Sequence, residues 1–221
     1  MRTPAPLGLI FALLAIVIAP AAPTAAQLTA PTPPTLPDPV AVTLNPQTTA
    51  LLVLDLNVPL CAPRPDCAAM IPSVAGLLAA ARSAGATVVF SSTPAPGSPS
   101  GAPIVPDLAP QPGEPIVVSH ADKFFETPLA DILSNAGVDT VVIVGFSANG
   151  AVMYTSFGAN ERGITVVVPE DGMAAADPFA TFVTGYQLLN EPGYSNLANT
   201  PLTANAVTLS RTDLISFAPG M

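Results

Sequence analysis

The chain has 221 residues, half of them hydrophobic and only 10% charged, which is enough for one sizeable core and short for two ordinary domains. Fifteen acidic against six basic side chains give a net charge of −9, too few cations to neutralise a run of phosphates, so a nucleic-acid partner is excluded. One His and two Cys are too few for a protein-built zinc centre, and no metal or other cofactor is expected.

The first 26 residues differ in kind. Arg2 is their only charge, Leu7 to Ala19 is almost wholly apolar, and Ala21, Ala22, Ala25 and Ala26 follow. This is the pattern of a secretory signal over residues 1–26. A membrane anchor is the competing reading, against which stands an apolar run of about 13 residues where a spanning helix needs about 20. The expected location is secreted or periplasmic. Residues 27–46, rich in Pro, Thr and Ala, read as an extended tether, and the folded domain is expected over 47–221.

From Thr49 the pattern becomes regular. "ALLVLDL" reads as a buried strand, "MIPSVAGLLAAARSAG" as a helix ending at Gly85, and "ATVVFSS" as a second strand. Between the first strand and the helix stands "CAPRPDC". In an oxidising compartment Cys61 and Cys67 most simply close a small disulfide loop, with a reactive thiol or a metal site as the sharper alternative. Residues 93–115 form a Pro- and Gly-rich surface excursion. Strands then recur at "PIVVS", "DTVVIVG", "ITVVVP" and "NAVTLS", with helices over 127–136, 150–161 and 176–190.

Continuous Val and Ile runs mark strands covered on both faces. Alternating strand and helix therefore give an α/β fold, a doubly wound parallel sheet in three layers, whose ligands sit beyond the carboxyl ends of the strands. That rule selects Asp55, the segment from Ser119 to Lys123, and the hinge after Gly145.

Ser147 sits in that hinge, in a loose likeness to a nucleophile elbow. The spacing is not G-x-S-x-G, and the single His120 precedes the serine instead of following it, so a turn residue is the better reading. Asp55 ends an apolar strand, where burial raises a carboxyl pKa towards the range useful for proton transfer. A strand-end aspartate capping a loop fits the same position. Lys123 is the one lysine beside five arginines, consistent with a site that needs a compact ammonium and equally with chance.

Together "TTALLVLDLN" and "KFFETPLADILSNAGVDTVVIVGFSANGAVMYTSFGANERGITVVVPEDGMAA" resemble the isochorismatase-like hydrolases, also called the cysteine hydrolase family, from about Thr48 to Ser216. The resemblance implies six parallel strands flanked by helices and a catalytic triad of Asp, Lys and Cys. Here the triad maps onto Asp55, Lys123 and Ala151, where Val152 and Thr155 fit the family's "C-V-x-x-T". The thiol is replaced by a methyl group. By the same resemblance Asn57, in place of the family's Gln, joins Phe146, Ser147 and Gly150 in binding substrate, and a cis peptide falls at Phe146–Ser147; the "CAPRPDC" loop, a departure from the family pattern just after Asp55, is expected to close over the pocket mouth.

Amidases of the family use the thiol covalently, which alanine cannot do. The isochorismatases proper imply another course, acid catalysis on a vinyl ether with Asp as the acid. Two functions therefore stand. One is an exported hydrolase of a small molecule working through Asp55 and Lys123; the other is an inactive relative that binds a small ligand or a partner. A homo-oligomer is left open by the sequence.

Overall fold

In the computed structural model, which describes residues 32–218, alternate side chains of the central strands enter two separate cores. In β2 (Thr49–Leu54) Ala50, Leu52 and Leu54 face one core, and Leu51 and Val53 face the other. In β5 (Thr140–Phe146) Val141 and Ile143 join the first, while Val142, Val144 and Phe146 join the second. A strand sends successive side chains to opposite faces, so a sheet covered on both sides needs apolar residues at every position. Each such side chain contributes roughly 1.5–3 kcal/mol when fully buried.

The sheet runs β4–β3–β2–β5–β6–β8, parallel throughout, with β3 at Thr87–Ser92, β4 at Ile116–Val118, β6 at Thr165–Pro169 and β8 at Val207–Ser210. These are the six strands expected. A seventh, β7 (Met173–Ala174), pairs with the end of β5 at Gly145 and Phe146. The second core is covered by α2 (Pro65–Ala84), through Val74, Leu77, Leu78 and Ala81. The first is covered by α3 (Leu129–Asn135), α4 (Met153–Asn160) and α5 (Pro178–Leu189).

Two expectations are corrected here. Helix α2 starts at Pro65, five residues before the expected Met70, because Pro65 occupies the first helical turn, where its missing N–H costs nothing. It ends as expected at Gly85, whose φ of 77° suits glycine. The second correction concerns the stretch read as a tether. Its second half packs on the domain: β1 (Val42–Leu44) pairs in parallel with β9 (Ile215–Phe217), burying Val42 and Leu44 with Thr43 outward. Further back, the Val40 N–H donates to Leu209 O at 3.1 Å. Pairing with β9, not proline content, decides this segment. The expected signal over 1–26 lies outside the described residues.

The chain runs outward through β2, β3 and β4, then returns to β5 on the other side of β2. Strand order thus reverses between the carboxyl ends of β2 and β5, the place where sheets of this kind leave a crevice.

Candidate active site

Asp55 follows the last residue of β2 and stands on one side of this crevice, with φ of 53°. Few non-glycine residues adopt that conformation, aspartate more readily than most. Its carboxylate is 4% exposed; Oδ1 accepts a hydrogen bond from Ser91 Oγ at 2.8 Å, and Oδ2 accepts one from Lys123 Nζ at 2.7 Å. Lys123 is fully buried and also donates to the backbone carbonyls of Ser119 (3.1 Å) and His120. All three ammonium protons therefore have acceptors. The backbone is fixed as well, since the Lys123 N–H donates to Thr155 Oγ1 of α4 at 3.2 Å.

Burial is the largest influence on the Asp55 carboxyl and raises it above the ordinary carboxylate range. The ammonium and the Ser91 hydroxyl pull the other way without cancelling it.

Asp55 opens into a cavity of about 510 Å³. The hinge after β5 supplies one wall, with Phe146, Ser147, Gly150 and the methyl of Ala151. The Phe146–Ser147 peptide is cis, as the resemblance implies. After Ser147 the chain makes a wide turn over Ala148–Val152, non-helical at Gly150, before α4 begins. A Cβ on Gly150 would lie 2.8 Å from Ser147 Oγ, so any larger residue there would displace the serine hydroxyl. Across the cavity stand His120 and Ala121, from the segment picked out by the strand-end rule.

Asn57 is placed differently from the expectation. It is fully buried, caps α1 (Val58–Cys61) by accepting the Leu60 N–H at 3.1 Å, and donates to Thr93 Oγ1 at 3.2 Å. It does not line the cavity. Asparagine is a preferred helix N-cap; the cap takes its Oδ1 and Thr93 takes its Nδ2.

Cys61 and Cys67 are joined in a disulfide. These are the only two cysteines of the chain, so no thiol remains. Their loop does reach the cavity, through Leu60 and Arg64. The Arg64 guanidinium lies 5.6 Å from the Phe146 ring centre. Arg64, Thr93 and Asp177 belong to the lining and were not singled out by sequence; the signal for Arg64 was its place inside the cysteine loop. A second cavity of about 570 Å³, lined by residues including Met70, Asp171 and Phe182, contains none of the expected site residues. Among the described residues, no cluster of three or more His, Cys, Asp or Glu could hold a metal ion.

Comparison with known proteins identifies the family and the fold. The sequence matches the isochorismatase domain over residues 49–189. It is 34% identical over 151 residues to maleamate amidohydrolase of Pseudomonas putida, covering 55% of this chain and 70% of that one. It is 28% identical over 191 residues to a streptothricin hydrolase of Streptomyces noursei, covering 82% and 71%. The fold is shared with N-carbamoylsarcosine amidase from Thermoplasma acidophilum, at 24% identity and a TM-score of 0.61 over 75% of this chain and 97% of that one. It is shared also with a cysteine hydrolase from Pseudomonas syringae, at 19% identity and a TM-score of 0.66 over 80% and 94%.

Proposed function

The chain belongs to the isochorismatase family, and from that premise we propose that it hydrolyses a small molecule by acid–base chemistry at Asp55, without a covalent enzyme intermediate. The observation that carries this reading is the buried contact of 2.7 Å between Lys123 Nζ and Asp55 Oδ2, at the edge of a cavity that Ala151 also lines. Its relatives' names, a streptothricin hydrolase and a maleamate amidohydrolase, support hydrolysis of small molecules as the reaction class. The disulfide and the apolar N-terminal segment support export.

The bond best suited to such a site is an acid-labile enol ether. Protonated Asp55 gives its proton to the enol carbon, and the resulting oxocarbenium ion is trapped by water. The carboxylate left behind is held by the Lys123 ammonium and the Ser91 hydroxyl. It then takes a proton from the adding water, which restores the acid, and the hemiacetal-type adduct collapses to a carbonyl and an alcohol. Burial favours the protonated form before transfer, and the ammonium favours the anion after it. General acid–base catalysis supplies about 10²–10⁴-fold, which suits an enol ether and falls short for an amide.

A second reading, a ligand-binding protein without turnover, is favoured by Ala151 and by the full engagement of Lys123. A screen of vinyl ethers, esters and amides against the untreated and the iodoacetamide-treated protein separates the two. The proposal expects vinyl ether turnover that alkylation leaves unchanged. Turnover of amides with a burst of acyl-enzyme contradicts it, and binding without turnover of any of the three classes supports the second reading.

A further inference from the structure

The charged side chains around the cavity are unequally committed. Asp55 is engaged by Lys123 and Ser91. Asp177 caps α5, accepting the Phe179 N–H at 2.9 Å. Arg64 is different: one guanidinium N–H donates to Leu60 O at 2.8 Å, and among the described residues no carboxylate lies within ion-pair distance of it. A guanidinium carries five N–H donors, so most of its hydrogen-bonding capacity is unspent. In a chain with fifteen acidic and six basic residues, a half-buried arginine with no acidic partner is conspicuous. Arg82 and Arg211 each hold a carboxylate, and Arg162, which does not, lies outside this cavity.

Arg64 is also held in place. Its backbone N–H donates to Cys61 O at 3.0 Å, its carbonyl accepts from the Ala68 N–H at 3.1 Å, and the Cys61–Cys67 disulfide closes the loop around it. The guanidinium carbon lies over the Phe146 ring, a contact favourable for a planar cation. The N–H groups that Leu60 O does not take are left for a planar acceptor.

We infer that Arg64 is the substrate-recognition residue of this cavity and that the substrate carries a carboxylate, bound edge-on by the guanidinium. The inference rests on the reading that this cavity is the substrate site, and it names the substrate class. One guanidinium, in a cavity that also carries the Asp55 and Asp177 carboxyl groups, matches an anion of single charge and planar shape. A phosphate dianion beside the Asp55 carboxylate would need further donors.

The test is calorimetric binding to the full disulfide-bonded protein, with benzoate and succinate against benzamide and succinamide, and with phenyl phosphate as the competing anion. The wild type is expected to bind at least one carboxylate at least about tenfold more tightly than its amide. Arg64→Gln abolishes that preference, and Arg64→Lys keeps part of it, because lysine retains the charge and loses the fork. Asp55→Asn keeps the preference. Circular dichroism confirms that each variant is folded. Equal binding of carboxylates and amides by the wild type, a preference that survives Arg64→Gln, or tighter binding of phenyl phosphate than benzoate overturns the assignment. Absence of vinyl ether turnover by the wild type, with the preference intact, counts against the acid–base reading and leaves the Arg64 assignment standing.

Discussion

Two carboxylate–cation pairs in this protein share a contact distance and differ in everything else. Lys123 Nζ meets Asp55 Oδ2 at 2.7 Å, and Arg82 Nη2 meets Glu114 Oε2 at 2.7 Å. The first pair is buried at the switch point of the sheet, whereas the second is partly exposed and ties the last turn of α2 to the excursion before β4. Burial is the largest influence on both carboxyl groups and raises both; at Glu114 the Arg82 fork and the Gln111 N–H together outweigh it and hold the group below its ordinary range, while at Asp55 burial prevails. Pairing distance therefore says little about role. What singles out Asp55 is a desolvation cost that its cation does not repay, beside a cavity that a ligand can enter.

That contrast predicts a large asymmetry in stability. Lys123→Met leaves the buried Asp55 carboxyl without its cation, and we expect a loss of about 3–5 kcal/mol in urea unfolding. Replacing both partners with Asp55→Leu and Lys123→Met should recover most of it, since no unpaired charge remains. A loss below 1 kcal/mol in the single variant would mean that the pair is far better hydrated than its burial implies.

Glu191 tests burial without a cation to oppose it. It is 6% exposed, Oε2 has no hydrogen-bond partner, and burial with help from Glu161 lifts its carboxyl from 4.5 to about 7. Between those values the folded state binds more protons than the unfolded state, so stability falls as pH rises from 4.5 to about 7 and is flat beyond. The full effect is at most about 3 kcal/mol. Glu191→Gln should remove this slope and stabilise the protein at pH 8; an unchanged pH profile of thermal unfolding would refute the assignment.

The outer pair gives the smallest effect and the opposite sign. With its carboxyl held low, Glu114 stabilises the fold above its unfolded pKa, and that contribution is lost as pH falls through the folded value. Glu114→Gln is expected to cost up to about 1 kcal/mol at pH 7, with a dependence on salt that Lys123→Met lacks.

Much of this was legible in the sequence, for a physical reason. Six strands stood out because a sheet buried on both faces leaves runs such as Val141–Val144 without polar interruption. The strands β1, β7 and β9 did not, since two or three residues carry no period and only tertiary pairing defines them. Asp55 and Lys123 were marked by a strand end and by a lone lysine, yet their meeting across 68 residues rested on resemblance alone. Asn57 went astray because a position was matched by family and its capping preference was passed over. Arg64 was hidden in plain view: attention to the two cysteines treated the loop as a clasp and ignored what it holds.

The most direct test of the account is kcat/KM of the wild type and Asp55→Asn on a vinyl ether that the wild type hydrolyses. Asparagine keeps the shape and cannot deliver the proton, so a fall of about 10²–10⁴-fold is predicted. Equal kcat/KM in the two proteins would contradict the acid role of Asp55.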